Sequence, residues 1–367
     1  MGFWVEKGLM LEDILNGMFD MVRVVDSDNN VIYMNKAMSG NFRNAAPGAK
    51  CYEALGRKKP CENCTSRRAV FGGASQEKEE VIDGRYFSVM SSPVRNNEGK
   101  IIAAVEVLRE TTNVKRLYQE TEKQNEKLKS ELEMAKKLQA SLLPGPIRDK
   151  RLDFSFLYMP CDAIGGDFLD IYKIDGSHMG LYIADVSGHG VPASLLTVFL
   201  RSSINKKLLS PAEALQELYI EFNHSKLDEE MYITLFYTII DLENRTMLYS
   251  NAGLNVSPVL YSGKRFELLR LPGIPISNWA EKASYRNGFV ELEPGDRLFL
   301  YTDGILEAKN KENEQYGEDR LVDILLGNNT DPRQLLLNIK KSVFRFAAIK
   351  SSGELQDDIA MALLKIK

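Results

Sequence analysis

A chain of 367 residues is longer than one ordinary domain, so two or more are expected. Its 44% apolar and 27% charged residues are those of a globular protein, and a formal net charge of -4 argues against a broad nucleic-acid footprint. No apolar run is long enough to span a membrane, Met1–Glu6 lacks the basic start of a signal peptide, and four cysteines are too few for a disulfide framework, so the expectation is a cytoplasmic protein without a membrane or nucleic-acid partner.

In chain order, Leu11, Ile14, Leu15, Met18 and Phe19 form a helical stripe within residues 9–21. Met21–Val25 and Val31–Met34 read as two strands around the turn Asp26-Ser-Asp-Asn-Asn30. Residues 35–75 are irregular and short-helical. Glu79–Met90 and Ile101–Leu108 read as strands, split by a turn at residues 95–100. Cys51, Cys61 and Cys64 lie in this part, the last two in Pro60-Cys-Glu-Asn-Cys64. Thiolates this close could hold a metal or iron–sulfur cluster or form a redox disulfide, but no fourth ligand is near, and a loop of reduced thiols is the plain alternative. The order of elements, and the phrase Val25-Asp-Ser-Asp-Asn-Asn-Val-Ile-Tyr-Met-Asn35, resemble a PAS sensor domain. That resemblance implies a small α+β domain at residues 1–111 that senses an unidentified ligand or mediates dimerisation.

Residues 112–147 read as a helical connector. Thr111-Thr-Asn113 offers capping chemistry, and no Pro or Gly interrupts the chain before Leu143-Pro-Gly-Pro146. Heptads from Val114 place Val114, Thr121, Leu128, Ala135 and Leu142 at a, and Leu117, Gln124, Glu131 and Leu138 at d. The seam is apolar at its ends and polar in the middle, as in an imperfect parallel coiled coil, although a single solvated helix would also satisfy it. A homodimer through the sensor and connector is the favoured reading.

From residue 148 to 367, strand patterns cover 154–159, 168–173, 179–184, 231–242, 245–250, 258–261, 297–302 and 359–366. Helical patterns cover 191–207, 211–225, 318–326 and 332–349. Two packed sheets flanked by helices are expected. Asp167, Asp185, Asp303, Asp357 and Asp358 each abut an apolar strand. Singly each is a turn former. Gathered at strand ends they would repel one another, and Mg²⁺ or Mn²⁺ would relieve that repulsion. His178, His189 and His224 are scattered and form no zinc pattern.

Gly165-Gly-Asp-Phe-Leu-Asp170, Asp185-Val-Ser-Gly-His-Gly-Val-Pro-Ala193, Tyr301-Thr-Asp-Gly-Ile-Leu-Glu-Ala308 and Asp357-Asp-Ile359 resemble, in order and spacing, the SpoIIE/RsbU-type phosphatases. These belong to the PPM class of metal-dependent protein serine/threonine phosphatases. Asn251-Ala-Gly253, Leu271-Pro-Gly273, Tyr316–Leu321 and the lead-in Met134–Pro144 fit the same pattern, so the likeness covers about residues 134–367. It implies an αββα sandwich with two Mn²⁺ or Mg²⁺ ions between its sheets. By that likeness Asp185 bridges both ions, the Val186 carbonyl completes one site, Asp303 and Asp357 hold the other ion, and Asp167, counted with them in the metal set, orients the metal-bound water. Two cations would lower the pKa of a shared water toward about 7 and clamp the phosphoryl oxygens. Asp358 is expected in a supporting role, and His189 is divided between general acid and turn structure.

Leu254 and Asn255 stand where the family often has a His after Asn-Ala-Gly, and Ala360 stands where a Thr usually follows Asp-Asp-Ile. Neither change removes an expected ligand, though both could alter substrate docking. The phosphate-gripping Arg of eukaryotic relatives has no clear counterpart. Gly165-Gly-Asp-Phe168 also touches a cyclic-dinucleotide cyclase signature, which would leave the later aspartates unexplained. The resemblance implies a phosphorylated STAS-domain anti-sigma-factor antagonist as substrate; a catalytically silent scaffold binding such a partner is the alternative.

Overall fold

The structure, a computed structural model, describes residues 10–327 and 330–367; the reading of Met1–Glu6 and the start of the first helical stripe lie outside these. The chain divides into two compact units, one ending at Lys127 and the other beginning at Leu128.

In the first unit a short helix, Leu11–Asn16, precedes β1 (Met21–Asp26) and β2 (Val31–Met34). The turn between the strands closes on the Asp26 carboxylate, which accepts from the backbone N–H groups of Asp28 and Asn30 at 2.9 and 2.8 Å. Asn35 then caps the helix Lys36–Asn41. Its Oδ1 accepts from the N–H groups of Val22 and Met38, both at 3.0 Å, while its Nδ2 donates to the carbonyls of Leu15 and Asp20. A fully buried amide thus has its hydrogen bonds satisfied.

The helix Thr65–Gly72 leads to β3 (Gln76–Ile82), β4 (Arg85–Arg95) and β5 (Ile101–Glu110). The five strands pair antiparallel in the order β2-β1-β5-β4-β3, over a core that includes Met21, Met38, Phe42, Phe87 and Leu108. The single strand expected over 79–90 is instead a hairpin. It turns at Asp83-Gly84, where φ is +50° and +77°, the conformation that matches a tight turn to strand twist.

The connector is one helix, Thr112–Leu142, about 46 Å long at the usual rise, and the boundary between the units falls inside it. Val114, Leu117, Leu128 and Leu138 are exposed along it.

The second unit holds two antiparallel five-stranded sheets. The first contains β7 (Phe168–Lys173), β8 (His178–Val186), β9 (Ile233–Asp241), β10 (Thr246–Ala252) and β13 (Gly288–Glu291), in the order β13-β10-β9-β8-β7. The second contains β6 (Leu152–Met159), β11 (Val259–Tyr261), β12 (Phe266–Leu268), β14 (Arg297–Tyr301) and β15 (Ile359–Ile366), in the order β12-β11-β14-β15-β6.

The two-residue strand period sorts the layers. On β8, Leu181 and Ile183 join Phe299, Met361 and Leu363 of the other sheet in the central core. Tyr182 and Ala184 face the opposite way, into a core shared with Leu200, Leu218 and Phe222 of the helices Gly190–Ser203 and Pro211–His224. The helix Pro332–Ala347 buries Leu335, Leu336, Ile339 and Val343 in the core beside the second sheet. The architecture is the expected α+β one: a sensor-type sheet domain followed by an αββα sandwich.

Edge strands β12 and β13, both short and largely exposed, do not appear among the sequence expectations. Strand β8 runs through Asp185 to Val186, two residues beyond its expected end. No helix among the described residues is long and apolar enough to cross a membrane.

Candidate active site

Asp185 is the next-to-last residue of β8, in register with Thr234, whose hydroxyl donates to the Asp185 carbonyl at 3.0 Å. The chain then turns through Gly188 and Gly190, both at positive φ, a conformation that glycine adopts without a Cβ penalty. His189 caps the helix Gly190–Ser203 without a side-chain capping bond. Its exposed ring lies 3.3 Å from the Asp162 carboxylate. Against this turn packs the loop Gly165-Gly166-Asp167: a Cβ on Gly166 would stand 3.1 Å from both the Val186 and Gly188 carbonyl oxygens.

Three groups fix that loop. The buried Asp358 carboxylate accepts from the N–H groups of Cys161 at 2.8 Å, Gly166 at 2.5 Å and Asp167 at 3.4 Å. A Cβ on Gly165 would collide with that carboxylate and with the Tyr158 hydroxyl. From the end of the connector helix, buried Gln139 donates to the Gly165 carbonyl at 2.7 Å and accepts from its N–H at 3.1 Å. The Thr302 hydroxyl donates to the Asp167 carboxylate at 2.6 Å and accepts from the Ala360 N–H at 2.9 Å, tying the loop to β14 and β15. Asp303 follows β14. Its carboxylate accepts from Asn255 Nδ2 at 2.7 Å. Asp357 precedes β15 and accepts from the N–H of Asp358 at 2.7 Å.

These carboxyls share one electrostatic field. Burial, then the charges of Asp303, Asp357, Asp358 and Glu307, push the Asp185 carboxyl up to about 7. Burial and the Asp185 charge raise Asp167 far above the ordinary carboxylate range, against the opposing hydrogen bond from Thr302. Asp357 is also raised, by burial first and then by Asp303, Asp358 and Glu307, against its backbone hydrogen bond from Asp358. Carboxylates that raise one another's pKa in this way carry a repulsion that the charge of a hard divalent cation would replace with attraction.

Among the described residues no three Asp, Glu, His or Cys side chains form a ready cage around an ion. The expected cluster is therefore an electrostatic one rather than a closed ligand shell. Mg²⁺-like ions commonly keep several waters and take only one or two carboxylates, so the donor set fits. Asp185 with the Val186 carbonyl, and Asp303 with Asp357, are the groups that could hold ions. Gln139 and Glu307 were not singled out by the sequence reading, although both lie inside motifs it used. Asn255, noted there only as a departure, here binds Asp303 directly.

The family model described as Stage II sporulation protein E (SpoIIE) matches residues 175–367, and the model described as PAS fold matches residues 15–116. Phosphoserine phosphatase RsbP of Bacillus subtilis is 32% identical over 189 residues, 49% of this chain and 46% of RsbP. Phosphoserine phosphatase RsbU of the same organism is 25% identical over 253 residues, covering 66% of this chain and 72% of RsbU. Protein IcfG of Synechocystis is 27% identical over 264 residues, 63% of this chain. The chain spans 40% of IcfG and 46% of RsbP, under two thirds of either.

Among solved structures, the SiaA-PP2C domain of Pseudomonas aeruginosa superposes with a TM-score of 0.57 at 21% identity, covering 66% of this chain and 98% of that domain. The PP2C phosphatase domain with a fragment of the regulatory domain of SpoIIE from Bacillus subtilis gives a TM-score of 0.51 at 15% identity, covering 80% of this chain and 82% of that one. At these identities the structures speak for the fold alone.

Proposed function

The chain belongs to the SpoIIE family, and from that premise we propose that it is a signal-regulated, Mn²⁺- or Mg²⁺-dependent phosphatase acting on phosphoserine or phosphothreonine in a protein. The carrying observation is that the Asp167, Asp185 and Asp357 carboxyls, from three separate stretches of sequence, are all raised, with Asp303 among the charges that raise Asp185 and Asp357.

Asp185, Val186 through its carbonyl, Asp303 and Asp357 would hold the two ions. The ions, when bound, supply a nucleophilic water at neutral pH and neutralise charge on the phosphoryl group. Asp167, held through its carboxylate by Thr302 and through its backbone by Asp358, would orient that water and take up its proton. Asp358 and Gln139 act as positioning residues for the loop that carries Asp167. Asn255 holds the Asp303 carboxylate.

In this reading, residues 1–111 are the sensor, 112–147 the connector and 148–367 the phosphatase domain. The chain is cytoplasmic and works as a homodimer through the sensor and connector, a reading supported by the exposed Val114, Leu117, Leu128 and Leu138. The substrate is a phosphorylated STAS-domain antagonist of an anti-sigma factor. Support comes from the relatives RsbU and RsbP, whose names describe phosphoserine phosphatases.

The test is phosphate release by the full chain, with Mn²⁺ and again with EDTA, from a phosphoserine STAS protein and from p-nitrophenyl phosphate. Metal-dependent release from both is expected. Release from p-nitrophenyl phosphate alone would reject the STAS substrate but keep the enzyme. Release from neither, with no Mn²⁺ bound, would leave the silent-scaffold reading standing instead.

A further inference from the structure

Cys61 and Cys64 are free and partly exposed, in the loop leading to the helix Thr65–Gly72. Cys64 is that helix's N-cap: its Sγ accepts from the Arg67 N–H at 3.5 Å, and its thiol donates to the Ser66 hydroxyl at 3.9 Å. The Arg57 guanidinium donates to Cys61 Sγ at 3.3 Å. Cys51 is buried in the core of this unit. Burial first, and then charge on Arg23, Glu106, Cys64 and Cys61, set its titration, with the net result pushed up to about 12. Cys51 is thereby kept protonated and buried, which removes it as a nucleophile. A cavity of about 930 Å³ opens on this loop, lined by Cys61 with both cations (Arg57, Lys58, Lys59, Lys78) and carboxylates (Glu62, Glu79, Glu80). No three thiol, imidazole or carboxylate groups among the described residues form a metal cage here.

We propose that Cys61 and Cys64 are a reversible dithiol–disulfide redox site whose oxidant is a low-molecular-weight disulfide entering through this cavity. Cys61 gives up its proton to water and, as the thiolate, attacks one sulfur of the small disulfide, breaking its S–S bond and expelling one small thiolate. Cys64 gives up its proton to water and attacks Cys61 Sγ, expelling the second small thiolate. Two protein thiols are oxidised and one small disulfide is reduced to two thiols.

The site is wired to the sheet. Ser66 donates to the buried Glu106 carboxylate on β5, which also accepts from Ser91 at 3.0 Å and pairs with Arg23 at 2.6 Å. Arg23 in turn donates to the Cys51 carbonyl at 2.6 Å. Oxidation removes the Cys64 S–H that meets Ser66, so the bond forms at one end of a hydrogen-bonded chain that reaches the strand preceding the connector helix.

The test incubates the reduced, metal-free full chain with oxidised glutathione, then counts thiols after denaturation and maps the linked peptides. Titratable thiols are expected to fall from four to two, with a Cys61–Cys64 bond that dithiothreitol reverses. Cys64→Ser keeps a capping oxygen for the helix, and this variant should stop at a glutathione mixed disulfide on Cys61. Cys51→Ser should oxidise as the wild type does. Four surviving thiols, a mixed disulfide that persists in the wild type, or a bond to Cys51 or Cys161 would each overturn the proposal.

Discussion

Replacing Asp358 by asparagine should loosen the loop that carries Asp167 while leaving the rest of the sandwich intact. The carboxylate accepts three backbone N–H groups, at 2.8, 2.5 and 3.4 Å. Asparagine offers one oxygen. If it stays on Gly166 and Asp167, the amide NH₂ meets the Cys161 N–H, donor against donor; flipped, it abandons the shorter bond. Hydrogen bonds to charged groups are worth about 1.5–3 kcal/mol, and an unmatched buried donor costs a comparable amount, so a local loss of roughly 2–4 kcal/mol is expected. At roughly 1.4 kcal/mol per tenfold, the N–H groups of residues 161–167 should exchange with deuterium roughly thirty to a thousand times faster, if exchange proceeds by local opening. Phosphatase turnover should fall about 10- to 100-fold, the usual cost of removing a supporting partner at a metal site. Hydrogen exchange by mass spectrometry on the full chain reads the first effect, and p-nitrophenyl phosphate hydrolysis the second. Exchange within twofold of wild type across this segment would refute the reasoning, because the three bonds would then contribute nothing to holding the loop.

Asp185 makes stability depend on pH in a direction opposite to that of a salt-bridged carboxylate. Its proton is held up to about 7 in the folded chain but leaves near 3.8 in the unfolded one, so metal-free protein should lose stability as pH rises between these values, by up to roughly 4 kcal/mol. Mn²⁺ should therefore raise Tm more at pH 8 than at pH 5, and a flat metal-free profile would contradict this. Glu106→Gln leaves Arg23 buried without its counter-charge and should destabilise the sensor unit by about 3–5 kcal/mol in urea unfolding; a change under about 1 kcal/mol would mean that water reaches the pair. Leu128→Pro breaks the connector at an exposed seam position, at a helix cost of about 3 kcal/mol, and should shift the chain toward monomer in analytical ultracentrifugation. An unchanged dimer would remove the connector from the interface.

The strands that build the sandwich core were legible because they alternate or run continuously apolar. Phe168–Lys173 and Ile359–Ile366 carry the same bounds in pattern and structure. Asp83-Gly84 was legible in principle: Asp-Gly between strand-like runs is a hairpin signal, and reading across it merged β3 with β4. Gly288–Glu291 was not, since an exposed edge strand needs little apolar patterning.

At the site, the short motifs brought the aspartates into view, because each couples a strand end to a carboxylate. Gln139 carried no such mark. Its role depends on the connector helix ending beside Gly165, a contact 26 residues distant in sequence. Asn255 could be seen only as a departure from a pattern, and its bond to Asp303 required the fold. The degree to which Asp185 is shifted likewise depends on burial and on neighbours from two other stretches, which no local motif encodes.

The most direct measurement is Mn²⁺-dependent hydrolysis of p-nitrophenyl phosphate by the full chain, with Asp185→Asn and Asp303→Ala assayed beside it and Mn²⁺ binding followed by calorimetry. Turnover that EDTA abolishes is expected, as are two folded variants with no measurable turnover and weakened Mn²⁺ binding. Wild-type rates in either variant would contradict the assignment of these carboxylates to the metal centre.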